Sequence, residues 1–229
     1  MRHMMVWILG FVVCLGAASL GRADVVYNSA SNGTVTNIWG GASPVVQGNT
    51  FQNSLGVLAR VTSITVYLMR TSNATGNIQV SLFNTTGSAG NYAKGGTSYG
   101  VSTNSLDAST IASTLTAYTF NFDPATTTAM AINGVFCFEI SGVTTDSNNP
   151  VQTRFGSAGT GTTNMNRIFN GGASSGNLIA GVVNASAVPE PGTLLLGGIA
   201  AACGGGGVWW KRRKRKAVEG ERVAGEAVV

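Results

Sequence analysis

The chain has 229 residues, 44% of them hydrophobic and only 10% charged, with a formal net charge of +5. That charge does not belong to the middle of the chain: Arg60, Arg70, Lys94, Arg154 and Arg167 balance Asp24, Asp107, Asp123, Glu139 and Asp146, and the basic excess lies at the two ends. A nucleic-acid ligand is thereby excluded, since it requires a basic face on the folded part.

Residues 1–23 carry Arg2 and His3, an apolar core from Met4 to Leu15 and small residues Gly21 and Ala23 at the exit. This is the pattern of a secretory signal peptide, with the mature chain beginning near Asp24. About 160 residues follow, enough for one substantial core. Of the three cysteines, Cys14 falls in the signal and Cys203 in the C-terminal apolar run. Cys137 therefore stands alone between two phenylalanines, as a small buried hydrophobe with no intrachain disulfide.

Within residues 24–187 the apolar residues alternate over short stretches and no helical period appears. Val25 to Tyr27 reads as a first strand, Ser29 to Asn37 as a loop, and Val45 to Phe51 as a short strand broken by Gly48. Gly56 to Met69 has the strongest period-2 signal, with a phase shift at Ser63 that predicts a bulge or bend. Asn77 to Asn84 alternates again, and the turn residues Asn73–Gly76 predict a hairpin joining it to the preceding strand. Thr85 to Ala108 is rich in Gly, Ser, Thr and Asn and reads as a long loop, with at most one weak strand around Ser98 to Ser102. Thr116 to Phe122 forms a strand stopped by Asp123-Pro124. Gly134 to Ile140 is apolar enough to be central in the core. Shorter strands follow at Val151 to Phe155, Met165 to Phe169 and Leu178 to Val183.

Eight to ten short strands joined by neutral polar turns predict an all-β fold, an antiparallel β-sandwich of jelly-roll type. A β-helix is the alternative, but no fixed repeat supports it.

The C-terminal segment changes character. Pro189-Glu190-Pro191-Gly192 is a stiff acidic turn, since each proline fixes its own φ and disfavours helix before it. Thr193 to Trp210 is uncharged and about 18 residues long, the lower limit for one transmembrane helix. Trp209 and Trp210 close it at headgroup level. Lys211, Arg212, Arg213, Lys214, Arg215 and Lys216 follow, and such a cluster stays cytoplasmic and sets topology. Residues 217–229 then form a cytoplasmic tail. An ordinary single-pass anchor is the alternative reading of these residues.

The order Pro189-Glu190-Pro191, span 193–210 and basic cluster 211–216 closely resembles a PEP-CTERM sorting signal. The resemblance implies a protein exported across the cytoplasmic membrane and recognised by an exosortase-type membrane peptidase. It also implies a place in the envelope, at the cell surface or in the exopolysaccharide matrix. That the protein is non-catalytic is expected from the catalytic residues it lacks. The domain division is then 1–23 signal peptide, 24–187 extracellular β domain, 188–216 sorting signal and 217–229 tail. The residues Phe51, Val61 to Leu68, Ile78 to Phe83 and Thr119 to Phe122 are vaguely similar to the small β domains that carry such signals.

Catalytic candidates are few. His3 is the only histidine and lies in the signal peptide, so Ser-His-Asp and Cys-His nucleophile systems and histidine-ligated zinc are excluded from the domain. A Ser-Lys pair would need Lys94, in the Gly-rich loop. The carboxylates that could pair in a glycoside hydrolase are Asp107, Asp123, Glu139 and Asp146, of which Glu139, in an apolar strand, stands out. Strand alternation turns it outward with Val135 and Cys137, where Arg154 is a natural partner. Asp146 with Asn148 and Asn149 offers oxygen ligands in one loop, a weak calcium signal. No metal or cofactor is expected. Carbohydrate binding is the alternative function, with Trp39, Tyr92 and Tyr99 as the loop aromatics on which a sugar would stack.

Overall fold

The computed structural model describes residues 23–29, 35–37, 46–71, 73–142, 151–156, 163–174 and 177–189. These residues form β1 (Ala23–Ser29), β2 (Val35–Asn37), β3 (Gln47–Gln52), β4 (Ala59–Arg70), β5 (Asn77–Ser88), β6 (Asn91–Val101) and β7 (Leu106–Asp107). A 3-10 turn at Ala108–Thr110 precedes β8 (Thr116–Asn121), β9 (Val135–Ser141), β10 (Val151–Gly156), β11 (Arg167–Phe169), β12 (Gly172–Ser174), β13 (Leu178–Ile179) and β14 (Gly181–Ala187).

The strands make two antiparallel sheets, so the all-β sandwich predicted from the alternation is what forms. In the first sheet β1 pairs with β14 and β14 with β4. Ser63 to Val66 of β4 pair with β14 and also with β8, so those two strands lie on opposite edges of β4. β10 joins the far end of β4 and carries β2 and β13. The second sheet runs β12-β11-β3-β9-β5-β6, with β7 also on β5. β1 begins where β14 ends: Ala23 pairs with Ser186 and Asp24 with Ala185.

The core lies between the sheets. β4 turns Ala59, Val61, Ile64, Val66 and Leu68 inward; β5 opposes them with Ile78, Val80 and Leu82, and β9 with Phe136, Phe138 and Ile140. The step from Val61 to Ile64 is the expected phase shift. It is a bulge, because Asn184 pairs with Ser63 while Ala185 pairs with Val61, leaving Thr62 over. Phe51 lies 6.3 Å from Phe136 and 6.4 Å from Phe138, ring centre to ring centre. Each such fully buried side chain contributes about 1.5–3 kcal/mol.

Four expectations fail. Val35–Asn37, inside the stretch read as loop, is β2, and β3 runs unbroken through Gly48, which pairs with Glu139. β4 and β5 are not a hairpin: they belong to different sheets, and the chain between them crosses the sandwich, with Ala74 buried on the way. Two strands with strong apolar faces bury more by facing each other across the core than by lying side by side. The stretch read as a long loop is instead the end of β5 and the whole of β6, paired from Ser81↔Val101 to Ser88↔Asn91. Two register shifts interrupt that ladder, and Gly95 sits where a Cβ would run into the Asn84 side chain. Bulges and obligatory glycine remove the alternation that marks a strand in sequence.

A buried polar network ties the sheets together. The Ile179 carbonyl accepts from Tyr27 Oη at 3.2 Å, Ser29 Oγ at 2.8 Å and Asn49 Nδ2 at 2.7 Å. Asn49 Nδ2 also donates to Tyr27 Oη at 2.8 Å, and Asn49 Oδ1 accepts the Ile179 N–H at 2.9 Å. Burial pushes the Tyr27 phenol well above its ordinary range, against the opposing effect of Ser29 and Asn49, so it remains a neutral donor. Asn49→Ala is expected to lower unfolding stability by about 2–4 kcal/mol, because it takes the acceptor from the buried Ile179 N–H and leaves a void between the sheets. Tyr27→Phe should cost about 1 kcal/mol. Urea midpoints measure both, and an Asn49→Ala loss below that of Tyr27→Phe would contradict this account of the network.

Candidate functional site

The second sheet does not stay flat. The far end of β6 swings over to the opposite end of its own sheet, where Gly90 N–H donates to Asn164 O at 2.8 Å and Lys94 N–H to Gly171 O at 2.9 Å. Asn166 clasps Tyr92 from both sides: its Oδ1 accepts the Tyr92 N–H and its Nδ2 donates to the Tyr92 carbonyl, each at 2.8 Å. The sheet thus curls into a half-barrel, and its face away from the main core becomes a second interior.

Alternation fills that interior. From β9 come Cys137 and Glu139; Gly48 and Thr50 of β3 lie opposite Glu139 and Cys137, and Ser81 and Phe83 of β5 lie on the other side. Ile168 of β11 pairs with Gly48 and is fully buried. Gly48 is required here, since a Cβ would overlap the Phe138 carbonyl. Lys94 Nζ reaches Glu139 Oε2 at 2.7 Å and stands 4.6 Å from the Phe83 ring centre. Glu139 Oε1 has no hydrogen-bond partner among the described residues.

Glu139 is therefore neither outward and solvated nor partnered by Arg154. Its strand face is covered by the curl, and the cation that neutralises it is Lys94, the residue read as lying in a loop. Nothing in the alternation of β9 marks this, because the cover comes from β6, about forty residues earlier in the chain. Cys137 is buried as expected. Its thiol is pushed up to about 12, first by burial and then by the Glu139 charge, with Lys94 opposing. A thiol of that acidity is no nucleophile at neutral pH.

The other candidates are dispersed. Tyr92 is half-buried at the Asn166 clasp. Tyr99 is half-buried at the rim of the main core, edge-on to Phe136 at 4.9 Å. Trp39 lies outside the described residues, as do Asp146, Asn148 and Asn149. Asp107 accepts the Ser109 N–H at 2.8 Å, which holds its carboxyl below the usual range, and Asp123 accepts the Ala125 N–H at 2.8 Å. Both carboxylates cap turns, and neither bonds to Glu139. Among the described residues no three of His, Cys, Asp and Glu converge on a metal-sized site, and no helix is long and apolar enough to cross a membrane. Pro189 ends the described chain; Glu190, Pro191, Gly192, the span 193–210 and Lys211 to Lys216 lie outside it.

One cation escaped the sequence reading. Arg167 of β11 stands 5.1 Å from the Phe155 ring and 5.8 Å from the Phe169 ring, and its Nη2 donates to Ser174 Oγ at 3.0 Å. Partial burial lowers its pKa. The R-I-F alternation places Arg167 and Phe169 on one face of β11, but Phe155 comes from the other sheet and only the fold brings it there.

Two measurements test the half-barrel. Cys137 is protonated below about pH 12, so a thiol reagent at pH 8 should leave it unmodified in the native chain and label it in denaturant; rapid native labelling would contradict its burial. Removing one partner of the ion pair, by Lys94→Met or Glu139→Gln, should cost about 2–3 kcal/mol. This is less than for a fully buried pair, because Lys94 keeps 33% side-chain exposure against 5% for Glu139. The double substitution should cost less than the sum of the singles, and strict additivity would show that the pair is not coupled.

Comparison with curated proteins and with solved structures finds no match to this chain. The family comparison does: residues 187–214 match the PEP-CTERM protein-sorting motif, from the last residue of β14 into the basic cluster. The chain is thus a small antiparallel β domain bearing a C-terminal PEP-CTERM sorting motif, as an exosortase substrate does.

Proposed function

We propose that this protein is a non-catalytic β domain exported across the cytoplasmic membrane and delivered by its sorting motif to the cell envelope, the surface or the surrounding exopolysaccharide. The match of residues 187–214 to the PEP-CTERM motif carries this reading. On it, residues 1–23 are removed as a signal peptide, and residues 193–210 span the membrane of the precursor. Lys211 to Lys216 hold the tail in the cytoplasm. An exosortase-type peptidase acts at or near Pro189-Glu190-Pro191-Gly192.

The non-catalytic part of the proposal rests on the state of the candidate groups. The carboxylate that a hydrolase would need, Glu139, is occupied by Lys94, and Cys137 is a neutral thiol in the same interior. The domain's winding fits a jelly roll. In chain order β1, β3, β4, β5, β6, β8, β9 and β14 alternate between sheets except at the β5–β6 hairpin. Their neighbours are β1-β14-β4-β8 and β3-β9-β5-β6.

Carbohydrate binding is the second reading. Half-exposed aromatic rings favour it, Tyr92 and Tyr99 on β6 and Phe169 on β11. Trp39 joins them as a candidate by residue type.

Expression in a bacterium that carries an exosortase-type peptidase tests delivery. The expected product lies outside the cytoplasmic membrane, with an intact mass short at both ends, and deletion of the peptidase leaves a longer, membrane-bound form. A full-length cytosolic product would overturn the proposal.

A further inference from the structure

We infer that Arg167, set between Phe155 and Phe169, is a receptor for the carboxylate of an acidic sugar in extracellular polysaccharide; this rests on the carbohydrate-binding reading and specifies its ligand. Arg167 pairs across the ladder with Asn49, whose side chain points at Tyr27 and Ile179 of the opposite sheet. Arg167 shares that direction. It therefore projects between the sheets at the side where β11 and β12 face β10 and β13, and Phe155 of β10 meets it there at 5.1 Å.

Among the described residues the environment holds a cation with no anion for it. No carboxylate among them pairs with Arg167: Nη2 donates to the Ser174 hydroxyl, and Nε is buried without a partner, so the edge left for a ligand is that of Nη1 and Nη2. Lys94, by contrast, is already neutralised by Glu139. The two phenyl rings hold the guanidinium in place and strip part of its water, which strengthens any charge-assisted bond it makes. A guanidinium fork matches a carboxylate in two parallel hydrogen bonds. Phe169, 41% exposed, leaves an apolar surface beside it for the C–H face of a sugar ring. A neutral sugar would use the ring and leave the charge unanswered; a uronic acid uses both.

The test is calorimetric titration of the full chain, in detergent micelles, with a galacturonic acid hexamer, its methyl ester and a neutral maltohexaose. The free acid is expected to bind and its ester to bind about tenfold or more weakly, since a charge-assisted pair is lost. Arg167→Ala should weaken acid binding by a similar factor. Arg167→Lys should not restore it, because an ammonium lacks the fork. Phe169→Ala, at an exposed position, should weaken it severalfold and serves as the deciding variant if Arg167→Ala loses its melting transition. The proposal is overturned if acid and ester bind alike, if the acid fails to bind at millimolar concentration, or if the acid binds the folded Arg167→Ala or, failing that, Phe169→Ala as tightly as the parent. Maltohexaose binding that ignores Arg167, together with any of those outcomes, sinks the acidic site and leaves the general carbohydrate reading standing. No binding of any of the three sugars sinks both.

Discussion

The carbonyl of Ile179 is the point on which the two sheets hang. At Ala180 the chain stops pairing with β10 and starts pairing with β4, so a short stretch of backbone must leave one ladder and enter another inside the protein. The Ala180 N–H still donates to Arg154 O of β10 at 2.8 Å, but the Ile179 carbonyl and the Ile179 and Gly181 N–H groups turn to side chains, and buried polar groups cannot be left unpaired. Three side chains supply what is missing. Tyr27 and Ser29 come from β1, Asn49 from the other sheet, and Ser29 Oγ also accepts the Gly181 N–H at 3.0 Å. The junction thus requires a tyrosine, a serine and an asparagine at inward-facing positions where an apolar side chain would otherwise pack.

Where the local pattern was strong, the sequence was readable. The β4 alternation, its slip at Ser63 and the central place of β9 all follow from residues that contact their own strand's environment. Partners were less readable. The β4–β5 segment looks like a hairpin because turn residues separate two alternating runs, and the same residues serve equally well to cross the sandwich. Only the hydrogen-bonding already committed by β14 and β8 on either edge of β4 decides between them. β6 was harder still. Its glycines, read locally, say loop; in the fold they allow the bulged ladder to curl.

The candidate site repeats this division. That Glu139 stands on the face away from the aromatic core was legible from alternation. That this face is interior, and that Lys94 neutralises it, depends on a curl set by contacts of Asn166, Gly171 and Gly90 with backbone far away in sequence. An alternating strand predicts which side chains travel together; it does not predict whether their side meets water. The sorting motif was legible in full, because proline stiffness, an uncharged run and a basic cluster each act on their own residues.

The strand that leads to the sorting motif, β14, runs inside the first sheet, with β1 on one edge and β4 on the other. Its last pairings, Ser186 with Arg60 and Ala187 with Ala59, come just before Pro189. Tension between the C-terminal end and a point held at the opposite end of the sheet would pull along that strand, loading both ladders in shear at once. Hydrogen bonds stressed together yield at much higher force than bonds opened one after another, so the domain is joined to its own tail by the part of the sheet best suited to bear a mechanical load.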